Sequence, residues 1–166
     1  DLNAMVWQPV LVNEEQPRPP ARKGHTATLV NGTRMLVFGG SAWVPDPDAD
    51  NSYGFSTQHV NDLWAVDLSG ADGFTWRAVH SVGARPPPRE GHGATLLANR
   101  YLVIHGGYDH THGWLNDTHV LDTQPTPMVW TRPTLTGMRP SSRSGHALLG
   151  LEHDELLVVG GMSLHG

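Results

Sequence analysis

The sequence predicts an all-β fold, and specifically part of a β-propeller. A unit of about 54 residues recurs along the chain with fixed internal spacing. Each complete unit holds four short strand-like runs separated by glycine- and asparagine-containing turns, and no segment longer than ten residues shows a helical period free of glycine or proline. Four antiparallel strands in roughly 50 residues describe one propeller blade, which buries both faces against its neighbours.

The strands of the first unit can be read in order from its residues. Thr26 to Val30 leads through Asn31-Gly32, which predicts a two-residue hairpin turn, into the apolar run Met35 to Phe38. The third strand is the alternating run Leu63 to Val66, and the fourth lies within Phe74 to Val79. The unit is therefore an antiparallel meander.

The repeat itself rests on matched spacing. Three segments align without gaps: Arg22 to Gly40, Arg89 to Gly107 and Arg143 to Gly161. In each, the second glycine of a Gly-Gly pair lies 15 positions after the histidine of an Arg-x-Gly-His motif. An Asn-Asp motif at Asn61 and Asn116, then an aspartate, then Trp76 or Trp130 follow in the first two units.

The blade boundaries follow from this alignment. Residues 1–20 are predicted to hold the last strand of a preceding blade and a linker, 21–79 a complete four-stranded blade, 80–132 a second, and 133–166 the first half of another. The first unit carries 12 extra residues within 41–59. Such an arc would leave apolar faces and strand edges open. We therefore expect the propeller to be completed by the rest of a parent chain or, less simply, by a second chain.

Composition limits the function classes. Hydrophobic residues make up 38% of the 166 residues and charged residues 16%, as in globular domains. No apolar run is long enough for a membrane span, no signal peptide is visible, and the net charge of -5 comes without a basic cluster. Without cysteine, disulfides and thiol catalysis are excluded. We expect no nucleic-acid partner, no membrane and a cytoplasmic location, with cytoskeletal association as the narrower expectation.

The ordered set of motifs resembles the kelch-repeat family. Arg-x-Gly-His, an apolar strand, Gly-Gly, Asn-Asp-Leu, Asp and Trp occur in that order over essentially the whole chain. Thr118 replaces the leucine of the motif in the second unit. The resemblance implies a kelch-type β-propeller that holds protein partners. Copper-radical oxidases of similar architecture need a cysteine that this chain lacks, and the residue steps typical of iron-dependent specifier proteins are not found.

The residues that repeat are best interpreted as structural. This set comprises the motif histidines and arginines, the tryptophans and the paired glycines: His25, His92, His146, Arg22, Arg89, Arg143, Trp7, Trp64, Trp76, Trp130, Gly39-Gly40, Gly106-Gly107 and Gly160-Gly161. We expect packing or hydrogen bonding from the histidines and tryptophans, and positive φ or close backbone approach at the glycines. An arginine ring that binds acidic peptides is the functional alternative.

Partner binding is expected where the units differ. The connection between the second and third strands and the linker to the next blade open on the same face, because strand direction alternates. The insertion carries aromatic residues beside aspartates and no lysine or arginine, which favours a basic protein partner. The candidates there are Trp43, Asp46, Asp48, Tyr53 and Phe55, against the alternative of a disordered decorative loop.

The second unit places the stretch Gly107-Tyr108-Asp109-His110-Thr111-His112-Gly113-Trp114 in the equivalent connection. With Arg85 of the preceding linker, its Tyr108, Asp109, His110, His112 and Trp114 complete the predicted contact rim. We expect a protein-interaction scaffold with no catalytic residue, no cofactor and no metal. Two alternatives are a metal-dependent enzyme centred on 105–114, with His105, His110, His112 and Asp109 as ligands, and a structural segment of a cytoskeletal or ciliary assembly.

Overall fold

Short strands in antiparallel sheets make up the fold. The computed structural model describes residues 6–7, 16–69 and 73–163. Within them lie one 3-10 turn, Glu152–Asp154, and sixteen strands: β1 (Arg22–Lys23), β2 (Thr26–Val30), β3 (Arg34–Phe38), β4 (Ser41–Pro45), β5 (Phe55–His59), β6 (Leu63–Asp67), β7 (Thr75–Ala78), β8 (Ser81–Gly83), β9 (Gly93–Leu97), β10 (Tyr101–Asp109), β11 (Gly113–Asp122), β12 (Met128–Thr131), β13 (Arg143–Ser144), β14 (Ala147–Gly150), β15 (Leu156–Val159) and β16 (Met162–Ser163). No helix in these ranges has the length and apolar character needed to cross a membrane.

The first blade is the predicted four-stranded meander. Its sheet order is β2-β3-β6-β7, and all three pairings are antiparallel. The turn between β2 and β3 differs from the prediction, because Val30 pairs with Arg34 and leaves three loop residues rather than two. Asn31 and Gly32 still adopt the positive φ values, 53° and 70°, that made this dipeptide a turn signal.

The second blade has one strand more than the prediction of four. Its order is β8-β12-β11-β10-β9, in which β8 comes from the linker and runs parallel to the outer strand β12. Trp130 anchors this addition, because its indole nitrogen donates to Ser81 Oγ at 3.1 Å and its carbonyl accepts from Ala84 N at 2.9 Å. The linker is thus part of the blade.

The third unit shows the predicted first two strands. β14 pairs with β15, and β13 pairs with β16. Six large apolar side chains of this unit are between 39% and 68% exposed: Leu149, Leu151, Leu156, Leu157, Val159 and Met162. Leu149, Leu157 and Val159 share one face of the β14–β15 pair, as expected for a face without a neighbour.

The same backbone bridge recurs in all three units just after the Gly-Gly pair. Lys23 pairs with Ser41, Glu90 bridges Tyr108, and Ser144 pairs with Met162. Each bridge joins the Arg-x-Gly-His turn to the residues that follow Gly-Gly. The chain is thereby brought back to the same rim at every repeat.

The blades meet through their first strands and an apolar core. β9 contacts both β2 and β14, so the first strands lie side by side where the blades converge. Gly91 N donates to Gly24 O at 2.8 Å and Gly145 N donates to Gly91 O at 2.7 Å, which links the three motif turns in series. The core between the first two blades contains Leu36, Phe38, Leu63, Ala65, Leu102, Ile104, Leu121, Met128 and Trp130.

Of the four tryptophans predicted to pack between blades, Trp130 does so most clearly. It is 1% exposed, and its ring centroid lies 5.2 Å from that of Phe38 in the first blade. Trp76 and Trp64 are half-buried. Trp7 is 99% exposed, so the prediction is wrong for that residue.

The insertion is a β-hairpin rather than a disordered loop. Ser41 to Pro45 pair with Phe55 to His59, and β4 also pairs with β1, so the backbone hydrogen bonds of the hairpin are largely satisfied. The corresponding stretch of the second unit is likewise a hairpin, because Tyr108 pairs with Trp114 and Asp109 with Gly113. Only residues 110–112 form its turn.

Gly106 offers a test of the Gly-Gly geometry. Its φ is +61°, and a Cβ there would lie 2.9 Å from Arg143 O and 3.0 Å from a ring carbon of His146. We expect Gly106→Val to lower the free energy of unfolding by several kcal/mol, since left-handed backbone alone costs about 1–2 kcal/mol for other residues and crowding adds to it. Gly113→Val is the matched control, because Gly113 has a φ of +75° in open space. Equal loss in denaturant unfolding of the two variants would contradict the close approach at Gly106.

Candidate protein-binding rim

The repeated arginines are engaged in buried structural contacts. Arg22 donates to both carboxylate oxygens of Asp62, at 2.7 and 2.9 Å, and to Gly39 O at 3.0 Å. Arg89 does the same with Asp117, at 2.7 and 2.8 Å, and with Gly106 O at 2.9 Å. Because Arg89 is fully buried, it is not available to bind a ligand. Arg89 is therefore excluded from the alternative in which a ring of repeated arginines binds acidic peptides.

Arg143 keeps part of this pattern. Its Nη1 donates to Gly160 O at 2.8 Å, as the other two arginines donate to their Gly-Gly carbonyls. Its Nη2 donates to Ser141 Oγ at 2.9 Å, and no carboxylate accepts from it within the residues that the structure describes. The carboxylate of the other units comes from the start of their third strand.

Two of the three repeated histidines, His92 and His146, lie between blades, whereas His25 is exposed and the predicted packing role is wrong for it. His92 Nε2 is 2.8 Å from Thr26 Oγ1, and its ring packs against Phe38 edge to face at 5.4 Å. His146 packs in the same way against His105 at 5.6 Å, but Gly93 stands where the first blade has Thr26. Consequently His146 Nε2 lacks the hydroxyl partner that His92 Nε2 has, while Nδ1 is without a hydrogen-bond partner in both rings in the described part of the chain.

Burial keeps these histidines neutral. Burial, reinforced by Arg89, lowers the pKa of His92 to about 3. Burial, together with His105 and Arg143, lowers the pKa of His146 to about 4. The prediction of a packing role agrees with this environment.

The insertion hairpin presents an aromatic face to solvent. Trp43 pairs with Thr57 and Pro45 with Phe55, so all four side chains lie on one side of the hairpin. Trp43 is 50% exposed and Phe55 41% exposed, whereas Ala42 on the opposite side is fully buried. A stable strand pair therefore holds two large aromatic residues outward.

Turn contacts organise the hairpin tip. Asp46 accepts a bond from Asp48 N at 3.0 Å, and Asn51 accepts one from Tyr53 N at 3.0 Å. Asn51 also donates to Phe55 O at 2.8 Å, while Tyr53 is 76% exposed. The aspartates and the tyrosine are thus displayed on an ordered turn.

The two hairpins touch through stacked histidines. His59, at the base of the insertion hairpin, stacks on His110 of the second unit with ring centroids 3.9 Å apart and planes 4° from parallel. Tyr108 contacts both rings edge to face, and His59 Nε2 lies 3.5 Å from Glu90 Oε1. The predicted rim residues of the two units therefore belong to one continuous surface.

The stretch 107–114 does not assemble a metal site. His112 Nδ1 is 2.7 Å from Asp109 Oδ2, whereas His110 turns to the His59 stack. His105 is buried below the rim, where its Nδ1 lies 3.0 Å from Thr118 Oγ1. No three histidine or acidic side chains in residues 6–7, 16–69 and 73–163 are grouped to hold a metal ion. The metal-enzyme alternative has no geometric support in these ranges.

The linker arginine stands apart from this stack. Arg85 Nη2 donates to Ser81 Oγ at 2.9 Å and to Ser81 O at 3.2 Å. Its side chain lines a pocket with His112 and Trp114 of the second hairpin, and with His119 and Arg132. Sequence reasoning missed the last two, and it also missed His59. His119 could have been noticed, because it occupies the repeat position of Trp64.

Comparison with known proteins matches the chain to kelch-repeat domains. The family model described as the KLHDC2/KLHL20/DRC7 Kelch-repeats domain matches residues 1–165. The chain is 37% identical to acyl-CoA-binding domain-containing protein 5 of Arabidopsis thaliana over its whole length, and 35% identical to protein 4 of that series from the same plant over 90% of its length. It spans about a fifth of those relatives, 22% and 20%.

A solved structure, that of YjhT, shares the fold. It aligns with 89% of this chain and 36% of its own, with a TM-score of 0.58 and 20% identity.

Because the Arg89–Asp117 ion pair is buried, removing the negative charge of Asp117 is expected to lower the free energy of unfolding strongly. Burial alone would raise the pKa of the Asp117 carboxyl, but hydrogen bonds from Arg89 and His119 outweigh it and hold that pKa far below its usual value. We expect Asp117→Asn to cost about 3–5 kcal/mol of unfolding free energy, as when one partner of a buried pair is removed. Asp122→Asn, at the more exposed Arg100 pair, is expected to cost less than about 1 kcal/mol. Similar losses in urea unfolding would contradict the assigned role.

The buried histidines predict a loss of stability in acid. The pKa of His92 and of His146 is lower in the folded state than in the unfolded state, so each contributes its full stabilisation above pH 6.5. As the pH falls toward 4, the free energy of unfolding declines by up to about 1.4 kcal/mol per pH unit for each of these groups. Because His146 has no hydrogen-bond partner in the described residues, His146→Phe should flatten this decline. His80→Gln, at an exposed histidine, should not. Unfolding free energies measured between pH 7.5 and 4.5 check this, and parallel curves for wild type and His146→Phe would refute it.

Proposed function

Because the chain belongs to the kelch-repeat family of β-propeller domains, we propose that it works as a protein-interaction scaffold whose partner binds the rim formed by its two long hairpins and the linkers. Domains of this family serve in general as interaction modules rather than enzymes, and this supports the coarse assignment. The binding surface is argued from features that differ between the repeats.

The observation that carries the proposal is the aromatic face of the insertion hairpin. Trp43, Tyr53 and Phe55 are 41% to 76% exposed on a strand pair anchored to the blade through β1. Exposed aromatic residues on a rigid support supply contact area at low entropic cost. The hairpin is 12 residues longer than the short hairpin that takes its place in the second blade. Its role is thus better explained by binding than by folding.

Charge on the hairpin tip favours a basic partner. Asp46 and Asp48 lie on the exposed turn, and no lysine or arginine occurs between Ser41 and His59. The His59–His110 stack places this tip beside the hairpin of the second unit. A partner that covers both hairpins would bury the aromatic face and meet the aspartates at its edge.

We also propose that further strands cover the open side of the third unit. The exposed apolar side chains of β14 and β15 support this, as does the guanidinium of Arg143, which has no carboxylate acceptor in the described residues. Additional blades of a longer chain would supply a cover for these apolar side chains and a carboxylate for Arg143. A second copy of the chain is the alternative source.

The test compares partner capture by the full chain and by hairpin variants. Captured proteins are cross-linked and identified by quantitative mass spectrometry. Capture of the proteins that wild type binds should be abolished by the double variant Trp43→Ser/Phe55→Ser and also by deletion of Val44 to Gln58. The deletion spares buried Ser41 and Ala42, so we expect the thermal unfolding midpoint to stay within a few degrees of wild type. Gln124→Ala, on the opposite rim, is the control and should capture as wild type does. An identical set of captured proteins for all variants would refute the rim assignment.

A further inference from the structure

A pocket beside the second hairpin has a different character from the aromatic face. It has a volume of about 430 Å³, within the range of ligand pockets in proteins. Its lining includes Arg85, Pro87, His112, Trp114, His119 and Arg132. The linker before the second blade, the turn of β10 and β11 and the end of β12 therefore converge on one cavity.

The corresponding place in the first blade provides an internal comparison. There, Trp64 occupies the repeat position of His119, and Ala78 that of Arg132. Trp64 donates to Asp62 Oδ2 at 2.7 Å, just as His119 Nε2 approaches Asp117 Oδ2 at 3.0 Å. The supporting hydrogen bond is kept while the second blade gains basic side chains. His119 and Arg132 are thus particular to the second blade, whereas Arg85 recurs at the same repeat position as Arg18 and Arg139.

The carboxylate at the floor of the pocket is already satisfied. Asp117 accepts two bonds from Arg89 and one from His119. The other ring nitrogen of His119 lies 2.9 Å from Ala84 O. Both nitrogens of this ring therefore face oxygen atoms of the protein. The floor therefore offers no uncompensated negative charge.

The mouth of the pocket carries uncompensated positive charge. Arg132 is exposed, and Arg85 uses only Nη2 in its bonds to Ser81. Neither guanidinium pairs with a carboxylate in the part of the chain that the structure describes. The nearby Asp109 is occupied by His112 and by Thr111 N. Trp114 and Pro87 add an apolar wall between these groups.

We propose that this pocket binds an acidic side chain of a peptide, carboxylate or phosphate, with a neighbouring apolar residue packed on Trp114. Guanidinium groups match the oxygens of such anions in charge and in hydrogen-bond geometry. The proposal rests on the proposed interaction function and adds a second subsite to it. The aromatic and acidic hairpin meets the basic part of a partner, and the pocket meets its acidic part.

The experiment measures fluorescence anisotropy of the full chain with three short labelled peptides, in which leucine alternates with glutamate, phosphoserine or glutamine. The glutamate or phosphoserine peptide should bind at least tenfold more tightly than the glutamine peptide, and affinity should fall as salt rises. Whichever of the two binds more tightly identifies the anion. Equal binding of all three peptides would overturn the proposal.

Variants locate the binding. Arg85→Gln/Arg132→Gln should weaken the acidic peptide at least tenfold, and Arg85→Lys/Arg132→Lys should recover part of the loss. Arg85 also donates to Ser81, so the double glutamine variant could unfold. In that case the single variant Arg132→Gln tests the same prediction, because Arg132 is exposed. Arg77→Gln removes the same charge on the opposite rim and should bind as wild type. Equal weakening in Arg77→Gln would overturn the assignment to this pocket.

The two proposals can fail separately. Trp43→Ser/Phe55→Ser should bind the acidic peptide as wild type does, because neither residue lines the pocket. If hairpin-dependent capture of a protein persists while the acidic peptide binds no better than its glutamine analogue, the pocket assignment falls and the interaction function stands. If neither is observed, both fall.

Discussion

Each of the two complete blades depends on one arginine that closes the corner at the Gly-Gly pair of its second strand. The Gly-Gly pair interrupts the strand ladder and leaves a carbonyl, Gly39 O or Gly106 O, without a ladder partner. The arginine donates to that carbonyl and to the aspartate of the Asn-Asp motif, Asp62 or Asp117, so one side chain joins three segments of the blade. A buried guanidinium is tolerated because its donors are satisfied there. Because the same contacts close this corner in both blades, the residues that follow the Gly-Gly pair can differ between the blades without altering the corner.

Function is expected in that variable part. Beyond the closed corner the first unit extends a long aromatic hairpin, while the second extends a short one that stacks His110 on His59. Hydrogen bonds between successive motif glycines hold the blades at the same height, so these extensions lie on one rim. A rigid base and a variable edge are what a binding scaffold needs. Opposite charges at the hairpin tip and in the pocket of the second blade would select and orient a partner with matching patches.

The sequence predicted the repeating part of the fold well, because equal spacing reports equal geometry. The apolar runs that became β2, β3 and β6 were found almost to the residue, and the paired glycines do adopt positive φ. The sequence does not predict the two strands of the hairpin at 41–59, because prolines and aspartates near its tip hide them and because they gain stability from pairing with each other and, for β4, with β1. Strand β8 was missed because three residues become a strand only against Trp130. The pocket was missed because Arg85 and Arg132 are distant in sequence and converge only in the folded blade.

The central claim is that the motif turns are joined from blade to blade and so position the rim. Amide hydrogen exchange of the full chain, resolved for Gly91 and Gly145, tests it most directly. Both amides are expected to exchange as slowly as those of the core strand residues Val103 and Ile104, because each donates to the preceding motif glycine inside the blade junction. Exchange at the rate of the exposed linker residues 135–138 would show that the turns open independently of the blades, and would contradict the account.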